Sequence, residues 1–430
     1  MNRKILIITY YWPPSGGSGV QRWVKFVKYL PEQGWEPIVY TPENPETPAT
    51  DHSLVEDIPD HLTVLKKSIW EPYSIYKKIT GKERVGTGFM NEKNTPGFLE
   101  AFFRWIRGNL FIPDARKYWI KPSVRYLKEY LDTHPVDILV SSGPPHSMHM
   151  IGLGINKQTD IPWLADFRDP WTNIDFYEDL HLSAWADRKH KKLEKEVLRT
   201  ADRVTAVSPT MCKELEEIGE RSVQLITNGF DSEDYSDSNT ELDDRFTISH
   251  IGTMVKSRNP ENLWRILAEM TDRNSSFSED LVIKLIGKVD ISVIETIEKY
   301  GLTPHLQKID YMPHKKVIRE QQRSRVLLLV LNDTPNARLL LPGKLFEYLA
   351  AQRPILCIGP KDGDVGEILN RTKSGYLVDY DETDKLEELI VRLYRDYEND
   401  RDRIDPENIE QFSRRMLTRE LVSLLNSMTR

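Results

Sequence analysis

Three short stretches of this chain carry residues whose types and spacing can do chemistry. Gly16-Gly17-Ser18-Gly19 stands between an apolar run and a helical pattern. Glycines there permit positive φ and close backbone approach, and a helix start offers unpaired N–H groups to an anion. The spacing is not G-x-G-x-x-G and no acidic residue closes the following strand, which disfavours a nicotinamide dinucleotide. Contact with a phosphate or a sugar is one reading of the loop; a plain tight turn is the other. The second stretch is Leu341-Pro342-Gly343-Lys344-Leu345-Phe346-Glu347. Pro and Gly set up a helix start whose amides can hold a diphosphate. Glu347, read here as a first-turn residue, can accept hydrogen bonds from a ribose diol or merely complement the helix dipole. The third, Ala165-Asp166-Phe167-Arg168-Asp169-Pro170-Trp171, crowds charge and aromatic surface onto the end of a strand, where an internal Arg–Asp pair is the plain alternative.

Elements of alternating type must position these groups. Lys4 to Thr9 reads as a buried parallel strand, Val20 to Leu30 as a helix, and Trp35 to Tyr40 as the next strand, which together make a βαβ unit. Strands recur at Asp137 to Ser141, Trp163 to Asp166 and Arg203 to Val207. After a polar stretch from Asp231 to Asp244 a second series begins. Strands fall at Phe246 to Ile251, Leu281 to Ile286, Val326 to Leu331 and Pro354 to Ile358, with helices at Glu261 to Met270 and Lys344 to Ala351. Residues 42–121, rich in Pro, Gly and aromatics, fit this alternation poorly and read as an insertion in the first domain. Two doubly wound units imply ligand sites at the C-terminal strand ends, in a cleft between domains.

Composition bounds the function. The chain has 430 residues, 59 Lys and Arg against 66 Asp and Glu, and a formal net charge of -7. That balance disfavours a dedicated nucleic-acid binder. Cys212 and Cys357 cannot build a disulfide framework, and neither has metal-ligand spacing, which fits a reducing cytoplasm. No secretory signal is read at the start and no apolar stretch is long enough to span a bilayer. From Phe98 to Tyr126, however, Phe102, Phe103, Trp105, Ile106, Leu110 and Phe111 alternate with Arg104, Arg107, Arg116 and Lys117. That pattern suits either packing of the insertion or peripheral contact with an anionic membrane.

Several segments taken together resemble family 4 glycosyltransferases of the GT-B fold, over nearly the whole chain. Glu347-Tyr348-Leu349-Ala350-Ala351-Gln352-Arg353-Pro354 is similar to the family's E-A-M-A-x-G-x-P segment, so Glu347 takes the place of its second, ribose-binding glutamate. The first glutamate would fall at position 339, which is Leu339. Ile251-Gly252-Thr253-Met254-Val255-Lys256-Ser257-Arg258 resembles the diphosphate clamp. Arg258 stands at the lysine position, and Thr253 where arginine is usual. Ala201-Asp202-Arg203-Val204-Thr205-Ala206-Val207-Ser208 and Asn228-Gly229-Phe230-Asp231 match further family segments. Gly287 and Tyr311-Met312-Pro313-His314 stand where the nucleotide base is usually bordered.

The resemblance implies an α/β fold with two Rossmann-like doubly wound domains facing each other across a cleft. Residues 1–235 form the acceptor-side domain and 236–408 the donor-side domain, while 409–430 form a helix returning toward the first. It implies sugar transfer from a nucleoside-diphosphate sugar to a glycan or lipid-linked hydroxyl, with retention, in cell-surface polysaccharide biosynthesis. Arg168, Asp169, Arg258 and Lys344 are the candidate catalytic residues. The donor is expected at Gly16, Gly17, Gly252, Arg258, Gly343, Lys344, Leu345 and Glu347, and the acceptor beside His146 and Asp166. Asp362-Gly363-Asp364 has the D-x-D form of a metal–diphosphate motif, but two carboxylates make a weak metal site, so no cofactor and no essential metal are expected. A GT-B nucleotide-sugar epimerase and a non-catalytic glycan- or nucleotide-binding protein remain the alternatives, the latter because of Leu339 and Thr253.

Overall fold

The computed structural model describes residues 3–47, 50–71, 98–235 and 240–429. The middle of the expected insertion, 72–97, lies outside them. The chain divides into two compact units, one of residues 1–227 and 414–430 and the other of residues 228–413.

The first unit is built on a seven-stranded sheet, in spatial order β3-β2-β1-β4-β5-β6-β7. Its strands are β1 (Arg3–Ile8), β2 (Trp35–Pro42), β3 (Thr63–Lys67), β4 (Ile138–Gly143), β5 (Trp163–Phe167), β6 (Arg203–Ala206) and β7 (Gln224–Leu225), and all pairings are parallel. Parallel sheets are covered on both faces, so their strands read as unbroken apolar runs. Ile5, Leu6, Ile7 and Ile8 of β1 are fully buried. The covering helices are α1 (Ser18–Tyr29), α2 (Phe98–Leu110), α3 (Lys117–Leu131), α4 (Ser147–Asn156), α5 (Ala184–Thr200) and α6 (Pro209–Gly219). Ser208 caps α6 by accepting from the Met211 amide at 3.3 Å, with Pro209 at the first helical position. One contact sets how closely α4 lies on the sheet. A Cβ at Gly152 would fall 2.6 Å from the Trp163 indole nitrogen, so only glycine fits.

Residues 42–121, expected as an insertion in the first domain, contribute β3, which pairs with β2 at the edge of its sheet. The helix spanning Arg414–Met428 belongs to this unit, and its Leu417, Leu421, Val422 and Leu425 join the core made by α1 and β1.

The second unit carries a six-stranded parallel sheet in the order β10-β9-β8-β11-β12-β13. The strands are β8 (Phe246–Ile251), β9 (Leu281–Ile286), β10 (Leu306–Ile309), β11 (Val326–Val330), β12 (Ile355–Ile358) and β13 (Gly375–Val378). Its helices are α7 (Glu261–Arg273), α8 (Ser275–Asp280), α9 (Ile291–Lys299), α10 (His314–Arg323), α11 (Gly343–Ala351), α12 (Asp364–Thr372) and α13 (Thr383–Glu398), and the C-terminal helix of the first unit is α14. The spacing of Leu263, Trp264, Ile266, Leu267 and Met270 puts one face of α7 into the core. Each such side chain contributes about 1.5–3 kcal/mol by leaving water. In both sheets the strand order reverses beside the first strand of the unit, between β1 and β4 and between β8 and β11. Open α/β sheets bind ligands at these reversals.

Candidate functional site

In the second unit, the reversal between β8 and β11 gathers residues from three elements. His250 is buried in β8, and its Nδ1 lies 3.1 Å from the Leu328 carbonyl of β11. Its Nε2 lies 3.1 Å from Nζ of Lys344, the second residue of α11, and that ammonium also donates to the Thr253 carbonyl at 3.4 Å. Among the described residues no carboxylate lies within ion-pair distance of Lys344. Burial pulls its pKa from 10.5 to about 7, helped by the like charge of Arg258 and opposed by Glu347. Arg258 closes a short 3-10 turn, Lys256–Arg258, and its Nε donates to Asn332 Oδ1 at 2.7 Å, just beyond β11.

Gly252 is what lets the lysine in. Its φ of 115° belongs to glycine, and a Cβ there would fall 2.5 Å from Lys344 Cε. Gly343 opens α11 behind Pro342, which makes no side-chain cap. The first amides of the helix thus face the same end of the sheet as the two cations. Leu345 offers only backbone there, because its side chain is buried in the core.

Glu347 lies in the second turn of α11, not the first as expected, so it is not a dipole-complementing end residue. Its Oε2 accepts from Gln321 Nε2 at 2.9 Å, and Gln321 Oε1 accepts from Tyr235 at 2.8 Å. Burial, then the Glu347 charge, drives the Tyr235 hydroxyl well above its ordinary pKa. Leu339 is buried, so the position where the family has its first glutamate points into the protein here. Thr253 is exposed and contributes its carbonyl to Lys344 rather than a cation to an anion. Asp362 pairs with Arg338 at 3.1 Å and Asp364 is the buried first residue of α12. Among the described residues no group of three or more His, Cys, Asp or Glu is placed to hold a metal ion.

The first unit arranges its charges differently. Asp166, at the end of β5, is buried and accepts from Arg22 Nη2 at 2.8 Å and Nε at 3.2 Å. It also accepts from Trp23 Nε1 at 2.8 Å, Ser142 Oγ at 2.9 Å and Thr205 Oγ1 at 3.0 Å. Burial alone would raise its pKa; Arg22 and these donors outweigh it and bring the carboxyl down to about 2. Both oxygens of Asp166, expected on the acceptor side, are thus engaged within the protein. The Arg–Asp pair foreseen at this loop exists, but the arginine is Arg22 of α1 rather than Arg168. Arg168 donates instead to the Gly19 and Pro144 carbonyls, tying the glycine loop to the end of β4. It is buried and braces the loop. Asp169 is half-buried, and burial raises its pKa while Arg168 lowers it.

Gly16 is buried; Gly17 is exposed, precedes α1 and has φ 107°. His146 is stacked on Trp171 with ring centroids 4.6 Å apart, and burial holds its pKa well below 6.5. His149 is fully buried, bonded to Ser141 Oγ at 2.9 Å, and pushed by burial to a pKa of about 3. Both imidazoles are therefore neutral at pH 7. Sequence reasoning missed His250, Asn332, Gln321 and Arg22. None stands in a recognisable motif, and only the parallel register of β8 with β11 brings His250 to Lys344.

Residues 89–234 match Glycosyltransferase Family 4. No curated protein matches the chain. Its fold is similar to sucrose-phosphate synthase from Thermosynechococcus elongatus, with a TM-score of 0.64 and 14% identity over 99% of this chain and 98% of that one. It is also similar to an α,α-trehalose-phosphate synthase (UDP-forming) from Burkholderia vietnamiensis, with a TM-score of 0.61 and 11% identity over 100% and 97% of the two chains. WaaG, a glycosyltransferase involved in lipopolysaccharide biosynthesis, aligns with a TM-score of 0.55 and 11% identity over 98% and 99%. At such identities the likeness is one of fold: the chain carries the two parallel-sheet Rossmann-like α/β domains of GT-B glycosyltransferase structures.

Proposed function

We propose that this protein transfers a sugar from a nucleoside-diphosphate sugar to a hydroxyl of a glycan or lipid-linked acceptor, with retention of configuration and without a metal cofactor. One observation carries the reading. Lys344 and Arg258 are brought together at the strand reversal of the second unit, and among the described residues no carboxylate is ion-paired with Lys344. A diphosphate suits a lysine so placed beside an arginine, and the amides of Gly343 and Lys344 supply further donors. Glu347, one turn along the same helix, is spaced to accept from a ribose diol once Gln321 yields. The segment match to Glycosyltransferase Family 4 points the same way.

In the reaction the bond from the anomeric carbon to the diphosphate oxygen breaks as the bond to the acceptor oxygen forms on the same face. The acceptor's proton passes to the departing phosphate. Lys344 and Arg258 stabilise the charge that develops on that phosphate, which is where catalysis needs preorganised donors. No protein nucleophile is required. A thermal-shift screen with UDP-, GDP-, dTDP- and ADP-sugars, followed by product analysis in EDTA, tests the reading. Stabilisation by one nucleotide class and sugar transfer in EDTA are expected; a strict Mg²⁺ or Mn²⁺ requirement overturns the metal-free mechanism. Glu347→Ala should weaken nucleotide binding about 10- to 100-fold, the loss of hydrogen bonds to a charged group. Unchanged affinity removes Glu347 from the ribose site. Leu339 and Thr253 favour a second reading, a nucleotide-binding protein without turnover, which binding without product across donors and acceptors would select.

A cytoplasmic site of action at the membrane face, serving surface-polysaccharide synthesis, belongs to the same proposal. No helix among the described residues is long and apolar enough to cross a membrane. Trp70, Trp105, Leu110 and Tyr118 are exposed, and Lys117 lies over the rings of Phe111 and Tyr118. Aromatic and basic groups so interleaved suit an anionic lipid surface. The side chains of Phe102 and Phe103 lie outside the described residues. Sedimentation with phosphatidylglycerol vesicles, and none with phosphatidylcholine vesicles, is the expected result.

A further inference from the structure

We infer that His250 is a positioning residue for the donor's diphosphate: it fixes the Lys344 ammonium as a pure hydrogen-bond acceptor and takes no part as acid or base. The inference rests on the reading that Lys344 meets the diphosphate. A carbonyl oxygen can only accept; Leu328 and Thr253 both face the ring, and the 3.1 Å contact of Leu328 with Nδ1 is the one with hydrogen-bond geometry, which favours the ring hydrogen on Nδ1. A neutral imidazole with hydrogen on Nδ1 keeps a lone pair on Nε2, which is the atom 3.1 Å from Lys344 Nζ. The Thr253 carbonyl, which also faces the imidazole, accepts a second ammonium hydrogen. Two of the three ammonium hydrogens are thereby directed and the third is left for a ligand.

Burial, and then the adjacent lysine, hold His250 neutral well below the usual histidine range, so this arrangement does not change near pH 7. The charged groups acting on Lys344 are Arg258 and Glu347. A lysine carries much rotamer freedom, and a side chain already held in its working position loses less on binding. Gly252 completes the device, since any Cβ there would displace the aliphatic stem.

The test compares His250→Leu, which removes the acceptor, with His250→Gln, which restores an oxygen near the Nε2 position. The probes are the nucleoside diphosphate that wild type binds best among UDP, GDP, dTDP and ADP, and the matching monophosphate, by isothermal titration calorimetry. His250→Leu should lose about tenfold in diphosphate affinity, the size of one hydrogen bond to a charged group. Its monophosphate affinity should stay near wild type, and His250→Gln should recover most of the diphosphate loss. Equal losses for both ligands, or no loss for either, overturn the inference. If wild type binds no nucleoside diphosphate, the donor reading falls and this inference with it. Wild-type binding with an unaffected His250→Leu overturns the inference alone. Should His250→Leu not fold, ¹⁵N spectra of wild-type His250 decide. A ring protonated at Nδ1 alone at pH 7.5 is expected, and hydrogen on Nε2 overturns the assignment.

Discussion

The two units each place charge at the C-terminal strand ends of a parallel sheet, yet one centre is closed and the other open. In the first unit the Arg22 guanidinium and the Asp166 carboxylate neutralise each other, and Trp23, Ser142, Thr205 and two backbone carbonyls take up the remaining valences. In the second unit Lys344 is held by a neutral imidazole and a carbonyl, with the charge of Arg258 acting on it and, among the described residues, no carboxylate ion-paired with it. A buried ion pair satisfied on all sides fixes the positions of strands and helices. A partly buried cation held only by neutral acceptors is costly for the fold, and an anionic ligand relieves that cost. The contrast separates framework from site by whether the charge is neutralised within the protein.

The sharpest way to break the contrast is to open the closed centre. Asp166→Ala leaves Arg22 buried without a counter-charge, and the expected loss is about 3–5 kcal/mol of unfolding free energy in a urea titration. A change below about 1 kcal/mol, with nucleotide binding or transfer lost, would return Asp166 to the site. The converse substitution comes next. Lys344→Met removes the open cation while keeping the aliphatic stem. It should cost about 10²- to 10³-fold in kcat, as for other single donors to developing charge, while the urea midpoint holds or rises. A lower midpoint with intact turnover would make Lys344 framework.

Much of this was legible in the sequence, and the reasons are local. KILII at the first strand and VLLLV at the eleventh are apolar runs bounded by turns, the mark of a strand buried on both faces. The edge strands β3 and β10 escaped because half their residues face solvent and their patterns are short and polar. Within the site, Lys344, Glu347, Arg258 and Gly252 were reached through motifs. His250 sits in an otherwise apolar strand, and its role depends on a partner 94 positions away. Asp166 illustrates the opposite error. A carboxylate at a strand end looks like a ligand group until the arginine of a remote helix, 144 positions earlier, is seen to claim it.

The open centre also predicts a pH dependence, smaller than either substitution. Lys344 has a folded-state pKa of about 7 against 10.5 when solvated. Between those values the unfolded chain binds more protons than the folded one. The contribution of this group to stability therefore rises with pH from about 7 to about 10.5 in the ligand-free protein. Diphosphate affinity runs the other way, because the anion selects the charged ammonium. The dissociation constant should rise by up to about tenfold per pH unit above 7, as seen by calorimetry, and the rise should vanish in Lys344→Met. A dependence that survives this substitution would assign the proton to another group.

The smallest effect is expected where a motif and the geometry disagree. Asp362 and Asp364 form a D-x-D, yet Asp362 is exposed and paired with Arg338, while Asp364 is buried at the start of α12. An exposed pair contributes about 0–1 kcal/mol. Asp362→Asn should therefore move the unfolding midpoint barely at all and leave transfer in EDTA at the wild-type rate. If it abolished transfer and excess Mn²⁺ restored it, the carboxylates of that loop would hold a metal during turnover. The open centre of Lys344 and Arg258 would then share the diphosphate's charge with an ion rather than carry it alone.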